Sequence, residues 1–134
     1  MSKPSRVLTN GCFDLLHYGH LMHLEAARKW GDELWVSVTD DIHVNKGRGR
    51  PIYPQEHRVA LLRALRCVDK VITVSGLIEA IDICKPQVLV KGIDYAQGLH
   101  DIHEKYCRDR GIEIRYTLTE KLSATEMIIE AGKR

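Results

Sequence analysis

Two histidines three residues apart are the side chains in this sequence best suited to do chemistry. His17 and His20 lie in the segment Gly11–His20, after a short apolar run and at the start of a run with helical spacing. Residues at this spacing share one side of a helix, so both imidazoles are predicted to face the same way. A helix start also offers unpaired backbone N–H groups and the positive end of its dipole. The segment therefore predicts an anion site, with imidazole donors against charge that grows on phosphate oxygens.

A zinc site is the main alternative for this histidine cluster. Adding His23 and Cys12 to His17 and His20 gives four side chains of the kind that bind zinc. The three histidines step around a helix rather than converge, and no HExxH pattern is present. We therefore predict no metal ligands among the side chains.

The elements that must position the histidines alternate along the chain. Strands are predicted at Val7–Thr9, Leu34–Val38, Val71–Val74, Val88–Val90 and Ile112–Tyr116. Helices are predicted at Gly19–Trp30, Pro54–Val68, Leu77–Cys84, His100–Arg110 and Ser123–Ala131. This alternation predicts one Rossmann-like, doubly wound α/β domain over residues 1–134, with a five-stranded, mainly parallel sheet. Ligands of such folds lie beyond the carboxyl ends of the strands, where Asn10–His20, Asp40–Arg50 and Lys91–Tyr95 would meet.

Composition narrows the remaining classes of protein. A chain of 134 residues, 44% of them hydrophobic, can form a core without disulfides or a structural metal. The four cysteines form no CxxC pair, which is typical of reduced thiols. The N-terminus is short and polar, and no apolar run approaches the ~20 residues that span a bilayer. We predict a cytoplasmic protein without membrane contact, and a net charge of +2 is too small to indicate nucleic acid binding.

Positive charge is concentrated in one stretch of the chain. Residues 43–58 carry four basic side chains, Lys46, Arg48, Arg50 and Arg58, against the single carboxylate of Glu56. The rest of the chain is close to neutral, so a local anion is predicted beside this stretch.

The pattern Gly-x-Phe-Asp-x-x-His-x-Gly-His over Gly11–His20 resembles the signature of the cytidylyltransferase-like nucleotidyltransferase superfamily. Further blocks follow in family order and extend the resemblance over nearly the whole chain: Gly31–Leu34, Glu56–Arg58, Arg66–Asp69, Val90–Tyr95 and Ser123–Thr125. The chain is similar to glycerol-3-phosphate and phosphoethanolamine cytidylyltransferases and to the adenylyltransferase domain that activates heptose 1-phosphate.

The resemblance implies roles for individual residues. His17, His20 and Lys46 would be catalytic, with Arg48 or Arg50 as alternatives to Lys46. Nucleotide contacts would come from Asn10, Gly11, Cys12, Phe13, Asp14, Gly19, Arg58, Arg66, Gly92, Asp94, Ser123 and Thr125. Ser123 also fits the N-cap of a helix, a position that can hold phosphate as well. The chain departs from the family where Leu118 replaces an arginine of the glycerol-3-phosphate enzymes and Ala124 replaces a threonine.

The sequence thus predicts an enzyme that joins a nucleoside monophosphate to a small phosphorylated alcohol or sugar and releases pyrophosphate. Arg66–Asp69 and the Gly11–His20 segment favour CTP, whereas Arg50–Glu56 and Lys91–Tyr95 leave ATP with a heptose-like sugar phosphate as the alternative. Mg²⁺ bound mainly through the triphosphate and a homodimer are expected. Two other classes were considered, a non-catalytic nucleotide-binding domain and a tRNA-associated domain. The intact histidine pair opposes the first, and the lack of a Lys-Met-Ser-Lys-Ser-like loop opposes the second.

Overall fold

The computed structural model describes residues 4–44, 47–92 and 101–117. In chain order its elements are β1 (Arg6–Gly11), α1 (Tyr18–Arg28), β2 (Glu33–Thr39), a 3₁₀ turn (Asp41–His43), α2 (Gln55–Arg63), β3 (Lys70–Val74), α3 (Leu77–Cys84), β4 (Val88–Lys91), α4 (Asp101–Asp109) and β5 (Glu113–Tyr116). Four of the predicted site residues, Lys46, Asp94, Ser123 and Thr125, lie outside the described residues. The same is true of the predicted helix Ser123–Ala131.

The five strands form one sheet in the order β3-β2-β1-β4-β5, and every neighbouring pair is parallel. This confirms the predicted Rossmann-like α/β fold. Chain order reverses beside β1, because β2 and β3 lie on one side of it and β4 and β5 on the other. The crevice where ligands bind in open α/β sheets is therefore expected beyond the carboxyl ends of β1 and β4.

Both faces of the sheet are covered. On one face the buried side chains Val7, Val36 and Val90 pack with Leu24 of α1 and Leu62 of α2. On the other, residues of alternate register, among them Leu8, Trp35 and Leu89, pack with α3 and with Cys107 of α4. Burial on both faces fixes β1 in the middle of the molecule, so its carboxyl end emerges at a defined position.

Helix α2 is shorter than the predicted Pro54–Val68. Pro54 is its N-cap, and the helix ends at Arg63. Beyond that point the chain tightens into turns with hydrogen bonds from each N–H to the carbonyl three residues before, as from Leu65 to Leu62 and from Val68 to Leu65. Periodic apolar residues in these turns continue the helical pattern without continuing the helix.

Candidate active site

The chain leaves β1 through a turn in which Phe13 packs closely against Gly11. Phe13 has a φ of +50° and turns its ring into the core shared with α1 and α2. A Cβ on Gly11 would lie 3.0 Å from Cε2 of that ring. The ring thus packs directly over the end of β1, and this contact directs the following residues toward α1.

The two histidines form the N-terminal cap of α1 together. His17 is the N-cap, and its Nδ1 accepts a hydrogen bond from the N–H of Gly19 at 3.1 Å. The N–H of His17 in turn donates to Nδ1 of His20 at 3.2 Å. This is a capping box in which two imidazoles replace the usual hydroxyl and carboxyl groups. The three-residue spacing of His17 and His20 therefore also lets the two side chains cap the start of α1.

The cap determines which nitrogen of each imidazole can serve a ligand. The rings of His17 and His20 are stacked, with centroids 3.9 Å apart and planes at 28°. Since each Nδ1 accepts from a backbone N–H, the proton of each neutral ring is on Nε2, on the far side from the cap. The arrangement presents a pair of matched N–H donors, as stabilisation of phosphate oxygens requires.

Asp14 connects residues 50–53 of the loop before α2 to this turn by hydrogen bonds. Its carboxylate is 3% exposed and accepts hydrogen bonds from the backbone N–H groups of Ile52 and Tyr53 and from Nε of Arg50. Burial alone would raise the pKa of Asp14, but these hydrogen bonds and the charge of Arg50 hold that pKa below its ordinary value. Asp14 therefore holds residues 50–53 in place, and its predicted contact with the nucleotide stays a prediction.

Arg58 is a second buried ion that holds these loops together. Its side chain is 1% exposed, and the predicted phosphate contact of Arg58 stays a prediction. Its guanidinium donates to the carbonyls of Cys12, Thr39 and Tyr53 and to Oδ1 of Asp41, at 2.7–3.1 Å. One buried cation thus joins the ends of β1 and β2 to the loop before α2. We assign Arg58 to positioning these loops.

Arg66 lies at a distance from the end of β1. It follows the end of α2 and is exposed, close in sequence to Asp69, whose N–H donates to the carbonyl of Leu34 near the start of β2. This is the amino edge of the parallel sheet, opposite the edge at which β1 ends. The helix that was predicted to carry both Arg58 and Arg66 ends too early to present them together.

Other predicted residues do lie at the carboxyl edge. Asn10 is held by a hydrogen bond from its Nδ2 to Oγ of Ser37 on β2, at 2.7 Å, and Gly92 directly follows β4. At the end of β2, Asp40 caps the 3₁₀ turn and bonds the ring of His43 at 2.6 Å. The hydrogen bond to His43 lowers the pKa of Asp40, so this rim carries an ionised carboxylate as well as cations. Neither Asp40 nor His43 was a predicted site residue, because a local Asp-x-x-His pair is also an ordinary turn sequence.

Two further properties concern the described ranges only. In residues 4–44, 47–92 and 101–117 no helix has the length and apolar character needed to cross a membrane. In the same ranges no group of three or more His, Cys, Asp or Glu side chains is placed to hold a metal ion.

Residues 8–130 match the family described as cytidylyltransferase-like. The chain is 45% identical over 129 residues to the bifunctional protein HldE of Methylococcus capsulatus and 43% identical over 136 residues to that of Azotobacter vinelandii. These alignments cover 93% and 96% of this chain but 27% and 28% of the relatives, so the chain spans roughly a quarter of their length.

Solved structures with the same fold were also found. A lipopolysaccharide core biosynthesis protein of Thermoplasma volcanium has a TM-score of 0.76 and 27% identity, over 89% of this chain and 100% of that one. A pantoate-β-alanine ligase of Francisella tularensis has a TM-score of 0.65 and 16% identity, over 98% of this chain and 70% of its own, and shares the fold alone.

Replacing Asp14 by Asn tests its role in holding the loop. The amide cannot accept from all three donors, so we expect the free energy of unfolding to fall by about 2–4 kcal/mol near neutral pH. Because the pKa of Asp14 is lowered in the folded state, its contribution is present above the unfolded pKa and is lost as the pH falls through the folded one. Urea unfolding of both proteins should therefore give a difference that shrinks in acid. Asp109→Asn, at an exposed position near the end of α4, is the matched control, and an equal effect there would contradict this role.

Arg58→Lys separates a positioning role from direct phosphate binding. The lysine keeps the charge but cannot reach three carbonyls and a carboxylate, so we expect a loss of about 2–4 kcal/mol in unfolding free energy. Exposed Arg63 on the same helix provides the control, and Arg63→Lys should change stability by less than about 0.5 kcal/mol. A stable Arg58→Lys protein that has lost only triphosphate affinity would return Arg58 to the phosphate.

Proposed function

Because this chain belongs to the cytidylyltransferase-like family and is a nucleotidyltransferase, we propose that it transfers AMP from ATP to a heptose-like sugar phosphate and releases pyrophosphate. The observation that carries this proposal is the stacked pair of His17 and His20, which places two Nε2–H donors at the start of α1 beside the end of β1. The likeness to HldE supports the choice of substrate, since HldE combines a heptose 7-phosphate kinase with a 1-phosphate adenylyltransferase whose domain belongs to this superfamily.

The choice of ATP replaces the preference for CTP drawn from the sequence. That preference depended in part on Arg66–Asp69, and this block lies at the amino edge of the sheet, remote from any nucleotide at the carboxyl edge. The remaining argument favours the sugar phosphate enzymes, to which the chain is similar over 93% of its length. No kinase activity is proposed, because the similarity covers roughly a quarter of the HldE relatives.

The reaction needs positioned charge rather than a covalent intermediate. An oxygen of the sugar phosphate attacks the α-phosphorus in line, a new P–O bond forms, and the bond from the α-phosphorus to the oxygen of the leaving pyrophosphate breaks. A phosphate oxygen is nucleophilic at neutral pH without a general base. The Nε2–H groups of His17 and His20 donate to the oxygens on which charge increases, and their fixed geometry avoids reorganisation during the reaction.

The basic loop supplies the remaining charge. We assign contact with the β- and γ-phosphates to Lys46, because Nε of Arg50 is already bound to Asp14. Ser123 and Thr125 remain proposed phosphate contacts, and Gly92 and Asp94 proposed contacts to the nucleoside. Mg²⁺ held by the triphosphate and water would neutralise phosphate charge when bound. A cytoplasmic location and a homodimer are also part of the proposal, on the strength of the family resemblance.

A substrate screen tests the reaction itself. ATP and CTP are each incubated with sugar 1-phosphates, glycerol 3-phosphate and phosphoethanolamine in the presence of Mg²⁺, and pyrophosphate and the nucleotide product are measured. We expect turnover with ATP and a sugar 1-phosphate, with product mass equal to the sum of AMP and the sugar phosphate less water. Turnover with CTP and glycerol 3-phosphate would contradict the proposal, and triphosphate binding with no turnover would favour a non-catalytic domain.

His20→Ala tests the chemical role of the pair. Loss of one preorganised donor is expected to lower kcat by about a hundredfold or more, with a smaller effect on the KM for ATP. His57→Ala on the exposed side of α2 is the control and should keep wild-type turnover. A folded His20→Ala protein with nearly full kcat would remove this side chain from the mechanism.

A further inference from the structure

His23 lies one turn after His20 on α1 and is bonded at both ring nitrogens. Its Nε2 is 2.8 Å from Oγ1 of Thr9, and its Nδ1 is 2.9 Å from Oγ1 of Thr117. Both threonines are 1% exposed. Both ring nitrogens of His23 are therefore engaged by threonine hydroxyls.

The two threonines belong to strands that are not neighbours. Thr9 is on β1, whereas Thr117 directly follows β5, and β4 lies between these strands in the sheet. Val90 of β4 is buried in the core on the α1 face, so the imidazole crosses above this intervening strand. The N–H of Thr117 donates to the carbonyl of Lys91 at 2.9 Å, which fixes Thr117 against the end of β4. The side chain of His23 therefore joins α1 to β1 and to the residue that follows β5, near the edge of the sheet where a ligand is expected.

We propose that His23 is a positioning residue that sets the place of the catalytic histidines relative to the sheet. It acts through α1, because His20 and His23 are one turn apart on the same rigid helix. The Phe13 ring contacts His20 near the start of the helix, and the His23 bridge provides a second attachment one turn later. Two attachments prevent α1 from rotating or sliding, and displacements of about 1 Å at a reacting centre can cost about a hundredfold in rate.

The choice of a histidine follows from the chemistry of the two hydroxyls. A neutral imidazole donates from one nitrogen and accepts at the other, and a threonine hydroxyl can do either. The ring therefore satisfies both threonines in either tautomer, which a leucine or phenylalanine of similar size would not. Through its hydrogen bond to Thr117, His23 also fixes the point at which the chain leaves β5. The predicted phosphate-binding residue Ser123 follows Thr117 in the sequence. The proposal rests on the proposed function, since it concerns the geometry of that site.

Removing either end of the bridge tests this role. Thr117→Val is nearly isosteric and removes only the hydroxyl, and we expect kcat to fall about tenfold while the KM for ATP changes less than about twofold. His23→Leu should have a larger effect, and combining the two should be no worse than His23→Leu alone, because both remove the same interaction. His23→Gln, which keeps a donor and an acceptor, should recover part of the loss. Thr73→Val, at an exposed position of β3, is the control for a threonine substitution.

A second readout does not depend on turnover. ¹H–¹⁵N spectra of ¹⁵N-histidine-labelled protein report the tautomer and surroundings of His17 and His20, and we expect their signals to shift in Thr117→Val but not in Thr73→Val. Shifted signals together with a lower kcat support the proposal. Lower stability with unchanged kcat would make His23 only a core residue, and a lower kcat with unmoved signals would show that it does not act through α1. If the wild type releases no pyrophosphate with any acceptor, the proposed function fails, and the spectra alone decide whether His23 positions the pair. Should His23→Leu not fold, Thr117→Val provides both readouts.

Discussion

The buried guanidinium of Arg58 imposes the constraint on which the carboxyl edge of this protein depends. A charged group removed from water must be surrounded by acceptors, and here they come from three separate segments, represented by Cys12, Thr39 and Tyr53. Asp14 applies the same principle with the opposite charge, because its buried carboxylate collects backbone N–H groups from the loop before α2. Together the two ions give irregular loops a defined conformation that their sequence would not otherwise specify.

This framework separates the charges that build the site from those that remain for a substrate. Buried ions with several protein partners are poor ligands for phosphate, because a substrate would have to displace existing hydrogen bonds. The histidine pair differs, since its cap uses Nδ1 of each ring and directs Nε2 elsewhere. Each imidazole therefore caps the helix with Nδ1, and the proposed mechanism uses Nε2. The division explains how residues close in sequence, such as Asp14 and His17, take such different roles.

How much could be predicted from the sequence depended on how local each feature is. The alternation of strands and helices predicted the fold, and the three-residue spacing of the histidines predicted their shared side, because both depend on neighbours along the chain. The partners of Arg58 could not be predicted, since an arginine that binds phosphate and one that binds distant carbonyls look the same in sequence. The end of α2 was predicted too late for another reason. Apolar periodicity continues through Leu65 and Val68 after the helix has tightened into turns, and periodicity alone does not reveal where a helix ends.

The contacts of His23 also could not be predicted from the sequence. A zinc site that included His23 was one alternative from the sequence, yet the partners of His23 are hydroxyls of two residues that are far apart in the chain. Thr117 follows Thr9 by more than one hundred residues and reaches the ring only because β5 and β1 flank β4 in the same sheet. Sheet order thus determines the environment of this histidine, and that environment makes it a support for α1. The three histidines at this helix therefore differ in role. His17 and His20 form the cap and direct Nε2 away from it, whereas His23 holds the helix that carries them in place.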